Sequence, residues 1–330
     1  MSNCLNSLPS AGDESIMKVW RIPDIEPYYT TDLGAAYLGD ALDLMKRQRK
    51  NTVDLIVTSP PFALLRKKRY GNVDAGEYVE WFIPFAREFK RILKPKGSLV
   101  IHIGGSWIKG KPVKGIYQYE LLVTLHRNLN FYLAQDLFWF NTAKLPGPAQ
   151  WVTVNRWRLK DAVDQIWWLS KTPHPKADNR RVRKEYSNAM KELLRNKSYY
   201  KPNVVRPSGH RISDKFYKKH NGAIPPNIFT CSNTDSQSKY IKLCRMYKVK
   251  PHPARYPRKI PEFFIKFLTN RGSKVLDPFG GSNVTGEVAE TLDRKWICID
   301  IEVDYLRGSL FRFFDETVLE TRYGFKKPES

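Results

Sequence analysis

The chain predicts a doubly wound, mostly parallel α/β sheet, and three observations carry that prediction. Short buried strands, such as residues 53–57, 98–103 and 294–300, alternate with helical patterns. One strand runs into Asp277-Pro278-Phe279-Gly280-Gly281-Ser282-Asn283, a small-residue turn that leads into a helix. Strand, glycine turn and helix are how such a sheet opens a pocket for a nucleotide or nucleoside, because glycine lets the backbone approach a ligand closely. Another strand ends in Thr58-Ser59-Pro60-Pro61-Phe62, where two prolines stop the ladder and impose a stiff extended turn.

In chain order, residues 1–17 are rich in Ser, Asn, Pro and Gly and read as a loose tail. Residues 26–40 alternate aromatic and polar residues and end in Gly39-Asp40. Ala41 to Arg49 is a short helix with Leu42, Leu44 and Met45 as its apolar residues, and the strand 53–57 follows. From Tyr78 to Leu93 apolar residues fall at 78, 79, 81, 82, 85, 89 and 93, near a 3.6 period, which predicts an amphipathic helix. Lys94-Pro95-Lys96-Gly97 should end it before a buried strand from Ser98 to Ile103. A helix over Tyr117–Leu129 and strands over Tyr132–Phe140 and Ala162–Leu169 complete the first half. Residues 171–250 show no clear periodicity except a helix near 186–195. Ile260–Leu268 is a helix leading to the strand that ends at Val275 and Leu276; a helix over Val284–Leu292 and a strand over Arg294–Asp300 follow. The expected organisation is a tail (1–20), one half of a sheet (21–170), an insertion (171–250) and the second half (251–330).

The 330 residues are 42% hydrophobic, enough for a sizeable core, and carry a formal net charge of +23. Residues 171–250 hold 20 Lys/Arg and 5 Asp/Glu, about two-thirds of that net charge. There the cations are interleaved with Tyr186, Tyr199, Tyr200, His210, Phe216, Tyr217 and His220, which fits a nucleic-acid face better than a surface charged for solubility. Cys4, Cys231, Cys244 and Cys298 form no C-x-x-C pair and no zinc-like spacing, so they read as reduced thiols and no metal site is expected. No run of 18 apolar residues and no secretory signal pattern occur, which predicts a cytoplasmic, nucleoid-associated protein without a membrane span.

Ligands of such sheets bind beyond the carboxyl ends of the strands, where the strand order reverses. The Ser59 turn and the Gly280 turn, far apart in sequence, can therefore form one site. Ser59 offers a hydroxyl, the Pro-Pro turn offers carbonyls that no ladder uses, and Phe62 offers a ring face, all suited to a flat polar ring with an exocyclic amine. The glycine turn is neither the G-x-G-x-x-G fingerprint nor a phosphate loop. With its helix and the acid Asp300 at the tip of the next strand, it points to an adenosine-containing ligand whose ribose hydroxyls bond to that acid.

A T-S-P-P-F turn preceding a D-P-F-G-G-S-N turn resembles the β-type, S-adenosylmethionine-dependent DNA amino-methyltransferases, in which the catalytic motif comes before the cofactor motif. SPPFALLRKKRYGN (59–72), WFNTAKLPGP (139–148), RPSGH (206–210), IPPN (224–227) and HPARYPRKIPEFFI (252–265) extend the resemblance to the cytosine-N4 group, over about residues 26–312. The resemblance implies a Rossmann-like methyltransferase sheet in permuted order. Asn283 stands where many members carry Gly, but Asn tolerates a left-handed backbone, so the turn should survive.

What the resemblance implies can be stated residue by residue. Ser59 Oγ and the Pro60 carbonyl hold the amine of a cytosine flipped out of duplex DNA, with Pro61 stiffening the turn and Phe62 and an aromatic from Trp139-Phe140 sandwiching the base. S-adenosylmethionine is bound by Asp277, Pro278, Phe279, Gly280, Gly281, Ser282 and Asn283 with Thr58, His252 and Arg255, by Asp300 at the ribose, and by Asp40 near the adenine. Arg66, Lys67, Lys68 and Arg69 contact phosphate, while Arg206 and His210 contribute to target recognition, of a CAGCTG-like palindrome if the resemblance extends that far. A cognate restriction endonuclease, acting independently, is the implied protein partner. Bland alternatives stand beside several of these: Asp40 is equally placed to cap the helix at Ala41, Trp139 to pack in the core, and Arg255 to pair with an acid. Adenine-N6 methylation and a catalytically silent DNA-binding protein are the rival functions, separable by base analysis of methylated DNA and by cofactor binding.

Overall fold

A computed structural model describes residues 19–63, 73–196, 207, 209, 218–234 and 237–328. At its centre is β3 (Val53–Thr58), apolar on both faces because it lies between two parallel neighbours, β4 (Leu93–Ile103) and β8 (Lys274–Asp277). Outward from β8 come β9 (Lys295–Asp300), β2 (Gly34–Leu38) and β1 (Tyr29–Thr30); outward from β4 come β6 (Val163–Ser170), β5 (Tyr132–Asn141) and β7 (Ile228–Cys231). Only β1 and β6 run against the other strands of this nine-stranded sheet.

Alternate residues along the strands feed two cores. Ile56, Leu99, Ile101, Trp167, Leu276 and Ile297 face α1 (Ala41–Lys46), α2 (Tyr78–Ile92) and α3 (Tyr117–Arg127). Leu55, Val57, Val100, Ile166, Val275 and Cys298 face α5 (Lys239–Met246), α6 (Lys259–Leu268), α7 (Val284–Thr291) and α8 (Val303–Ser309). Two further helices are α4 (Asn188–Arg195) and α9 (Glu316–Tyr323). The sheet is thus wound on both faces, with its switch point between β8 and β3.

Three expectations need amendment. Residues 94–97 do not form a loop: α2 passes directly into β4, and the register jumps from Val53↔Leu93 to Leu55↔Ser98, so Lys94–Gly97 bulge out of the ladder. Lys94 Nζ ties this bulge to Asp54 at 2.7 Å. The first helix ends at Lys46 rather than Arg49. The basic segment 171–250 is joined to the sheet, since β7 pairs with β5 and the buried Tyr240, Ile241, Leu243 and Cys244 of α5 enter a core. A four-residue strand is too short to show a pattern, and in α5 the exposed Lys239, Lys242 and Arg245 read as part of the basic stretch rather than as one face of a helix.

Candidate active site

The turns after β3 and β8 meet at the switch point because their strands are paired, Leu55↔Val275 and Ile56↔Leu276. One step further on, Thr58 Oγ1 donates to Asp277 Oδ1 at 2.8 Å across 219 positions of sequence. Asp277 also accepts from Thr285 Oγ1 (2.6 Å), Tyr256 OH (3.3 Å) and the Phe279 amide (3.2 Å). Burial raises its pKa, and these donors oppose the rise. Thr58 and Asp277 are therefore braces behind the pocket wall rather than ligand contacts, which corrects the sequence expectation for both: their polar atoms are already engaged, and they are 1% and 2% exposed.

Between the turns lies a cavity of about 290 Å³. Ser59–Phe62 line one side and Pro278–Ser282 the other, with Asp40, His252, Arg255 and Asp300 also on the wall. Gly280 fits because its position is crowded: a Cβ there would lie 2.0 Å from Cys298 Sγ. Gly281 has φ +52°, and its amide donates to Asp300 Oδ2 at 2.7 Å. Asn283 adopts φ 54°, caps α7 by accepting from the Gly286 amide at 3.0 Å, and donates to Tyr29 OH at 3.0 Å. It is fully buried, so it shapes the turn from behind and is corrected from contact to cap. Asp300 is pushed up to about 6 by burial, with the charges of Asp277 and Glu302 adding and the amides of Glu302 and Gly281 opposing. Asp40 caps α1 through the Leu42 and Asp43 amides and also lies in the cavity lining, held near Asp300 by the Gly39 N–H bond to the Asp300 carbonyl at 3.0 Å. Trp81 and Phe85 also line the cavity, packed with Phe279; spaced four apart on α2, they had read only as its apolar face.

On the serine side, the sheet register sets Ser59 against the end of β4, and Ser59 Oγ lies 2.9 Å from His102 Nδ1. His102 Nε2 faces Asp164 Oδ2 at 3.5 Å, and Asp164 Oδ1 accepts from Lys144 Nζ at 2.9 Å. Burial pulls Asp164 up, but His102 and Lys144 outweigh it and hold its pKa down at about 2. Sequence reasoning passed over all three residues. The available signal was a titratable residue inside each of two strands read as buried, which is rare without a partner. Tyr78 OH donates to the Pro61 carbonyl at 2.8 Å, which pins the Pro-Pro turn.

A family model described as DNA methylase matches residues 53–311. The chain belongs to that DNA methylase family. It is 44% identical over 297 residues to the type II methyltransferase M.PvuII of Proteus hauseri, covering 90% of this chain and 88% of that protein. M.BamHI of Bacillus amyloliquefaciens is 28% identical over 291 residues, covering 85% of this chain and 57% of that protein. A solved structure titled PvuII DNA methyltransferase (cytosine-N4-specific) superposes with a TM-score of 0.74 at 40% identity, covering 91% of this chain and 93% of that one.

In the methylase, His252 is held from below: its amide donates to Tyr240 OH at 2.9 Å and its ring meets Tyr305 edge-on at 4.3 Å. Arg255 donates to the His252 carbonyl at 2.9 Å and, among the described residues, pairs with no acid; it also lines the cavity. Trp139 is corrected from a base-stacking residue: it is buried, its indole N–H donates to the Cys231 carbonyl at 3.0 Å, and its ring lies 5.3 Å from His102, so it packs behind the site. Phe62 remains on the cavity wall, edge-on to His102 at 5.4 Å. Arg66, Lys67, Lys68, Arg69, Arg206 and His210 lie outside the described residues. No helix among the described residues is long and apolar enough to cross a membrane.

Proposed function

We propose that this methylase moves a methyl group from S-adenosylmethionine to the N4 amine of a cytosine flipped out of duplex DNA, as the modification half of a restriction–modification system. The observation that carries the reading is that the Ser59-Pro60-Pro61-Phe62 turn and the glycine turn line one cavity. The likeness to the cytosine-N4-specific enzyme supports the choice of base. The cavity suits the donor: an acid at one end for ribose hydroxyls, aromatic Trp81 and Phe85 along one wall, and a crowded glycine turn. When bound there, S-adenosylmethionine supplies an electrophilic methyl on a sulfonium.

The remaining chemistry belongs to the chain. The cytosine amine is a weak nucleophile because its lone pair is delocalised into the ring. Ser59 Oγ and the Pro60 carbonyl accept its hydrogens and favour a pyramidal nitrogen whose lone pair points at the methyl. Phe62 stacks on the base. Asp300 holds the ribose, Asp40 the adenine, and Pro278–Ser282 with His252 and Arg255 the methionine end. Residues 171–250, with Arg206 and His210, carry target recognition, and Arg66–Arg69 bind phosphate. The protein acts in the cytoplasm beside an independent cognate endonuclease.

The test is to methylate a plasmid, digest it to nucleosides and map the product at single-base resolution. N4-methylcytosine at one palindrome is expected. N6-methyladenine would shift the reading to the adenine group, and absence of S-adenosylmethionine binding would reduce the protein to a DNA-binding module.

A further inference from the structure

We infer that His102, backed by Asp164, takes the proton that leaves the methylated amine through Ser59, so that the serine turn is the front end of a Ser59–His102–Asp164 relay. The inference deepens the methyl-transfer reading above and rests on it.

The sheet itself builds the relay. Thr58 pairs with Ile101, so the next position sets Ser59 against His102. His102 pairs with Ile166 on β6, and Asp164 lies two residues earlier on the same face. The result is Ser59 Oγ to His102 Nδ1 at 2.9 Å, His102 Nε2 to Asp164 Oδ2 at 3.5 Å, and Asp164 Oδ1 to Lys144 Nζ at 2.9 Å. His102 and Asp164 are 6% and 8% exposed, and the His102 ring packs against those of Phe62 and Trp139. A buried pair of this kind costs several kcal/mol in desolvation unless each member is matched, and apolar residues would fill the same space without that cost. Here it stands directly behind Ser59, which lines the cavity.

Hydrogen-bond logic fixes the direction of the relay. Ser59 Oγ must accept from the cytosine amine, so its own hydrogen turns to His102 Nδ1, which must be unprotonated. The imidazole proton is then on Nε2, a buried atom that makes no hydrogen bond in the described structure and faces Asp164. Closing 3.5 Å to a hydrogen bond needs a shift of about 0.5 Å. Asp164 stays ionised across the working pH range, since His102 and Lys144 outweigh the effect of its burial. The other titratable side chain whose ring faces His102 is Tyr256, from the segment before α6, at 6.1 Å.

The step balances. The N4 lone pair forms the bond to the methyl carbon as the carbon–sulfur bond breaks and its electron pair stays on sulfur. The nitrogen then holds one proton too many. That proton passes to Ser59 Oγ while the serine hydroxyl proton passes to His102 Nδ1, and Asp164 stabilises the imidazolium. N4-methylcytosine and S-adenosylhomocysteine leave, and His102 returns the proton to solvent. Because His102 acts through Ser59, it is a positioning residue with a proton-accepting role.

Two measurements test this. Nitrogen-15 NMR of the free protein, with His102→Asn to assign its signals, reads the tautomer without any turnover: protonated Nε2 and unprotonated Nδ1 are expected, and the reverse tautomer overturns the relay. In single-turnover methylation, His102→Asn keeps an oxygen that can accept the Ser59 hydroxyl but cannot take its proton. It should lose about 10²-fold in rate, the low end for removing an acid–base group, with cofactor and DNA affinities within about twofold of the parent. Asp164→Asn should show the same pattern more weakly, and it stands in if the first variant does not fold. Parent-like rates in both variants, or a rate loss matched by an equal loss of cofactor or DNA binding, would reduce the trio to packing. If the parent makes N6-methyladenine or no product, the methyl-transfer reading fails instead, and the tautomer result stands apart from that outcome.

Discussion

The two walls of the cavity meet at one switch point but are built by different means. The donor wall has a centre that is continuous in sequence, Pro278–Ser282 with the helix they lead into and the strand that ends in Asp300, to which Asp40, Trp81, Phe85, His252 and Arg255 are added. Its contacts come largely from backbone shape, through a positive φ at Gly281, a left-handed Asn283 and a Gly280 that leaves no room for a Cβ. The acceptor wall is backed by the ends of three strands. Ser59, just after β3, His102 on β4 and Asp164 on β6 are brought together by sheet register alone. Binding a cofactor needs a cradle of fixed shape, which a local turn provides. Moving a proton needs polar atoms in line at hydrogen-bond distances, which adjacent strands provide because successive strand ends stand side by side.

Changes on the two walls should therefore fail differently. The largest expected effect is Ser59→Ala: a loss of roughly 10²–10³-fold in single-turnover rate, as for removal of one preorganised hydrogen-bonding group, with cofactor and DNA binding kept. Near-normal rates from the folded variant would remove Ser59 from the chemistry and erase the distinction between the walls. On the donor side, Asp300→Ala should instead weaken S-adenosylmethionine binding by about 1.5–3 kcal/mol, measured by calorimetry, through lost bonds to a charged group. Unchanged affinity would place the ribose elsewhere.

Gly280→Ala tests whether the cradle is a matter of shape. Its new Cβ would sit 2.0 Å from Cys298 Sγ, and the next contacts, at 3.4 and 3.5 Å, are tolerable. Overpacking should cost about 1–3 kcal/mol by denaturant unfolding. Gly280→Ala with Cys298→Ala should recover most of it, because the offending sulfur is gone. A double variant no more stable than the single one would mean that strain in the turn, not the sulfur, sets the cost.

The smallest effect is a pH dependence confined to the donor wall. Asp300, raised to about 6, is the better acceptor when ionised. Cofactor affinity should fall about fourfold from pH 7.5 to pH 5.5, following the ionised fraction, and should be level across that range in Asp300→Ala. The sign is opposite for folding. A carboxyl whose pKa is raised in the folded state favours that state below its unfolded pKa near 4, and this contribution is lost as pH rises to about 6. Affinity that rises on acidification would contradict the assignment of Asp300.

The same division explains what could be read before the structure. The sheet, most of its strands and helices and both turns were legible because each is a local pattern: an apolar run, a 3.6-residue period, paired prolines, paired glycines. β7 was missed because four residues carry too little pattern, and α5 because its exposed cations merge with the basic stretch around it. Thr58, Asp277 and Asn283 were read as ligand contacts because sequence marks a turn without saying which of its side chains point into the cavity and which brace it. Trp139 was read at the site for the same reason.

The sequence by itself determined that two chemically distinct turns exist and that an α/β sheet would bring them to one switch point, because strand pairing and turn chemistry are written in neighbouring residues. Only the tertiary structure decided that His102 lies behind Ser59 and Asp164 behind His102. Residues 59, 102, 144 and 164 share no local pattern, and their alignment depends on strand register, in which a slip of one residue would turn each side chain to the opposite face.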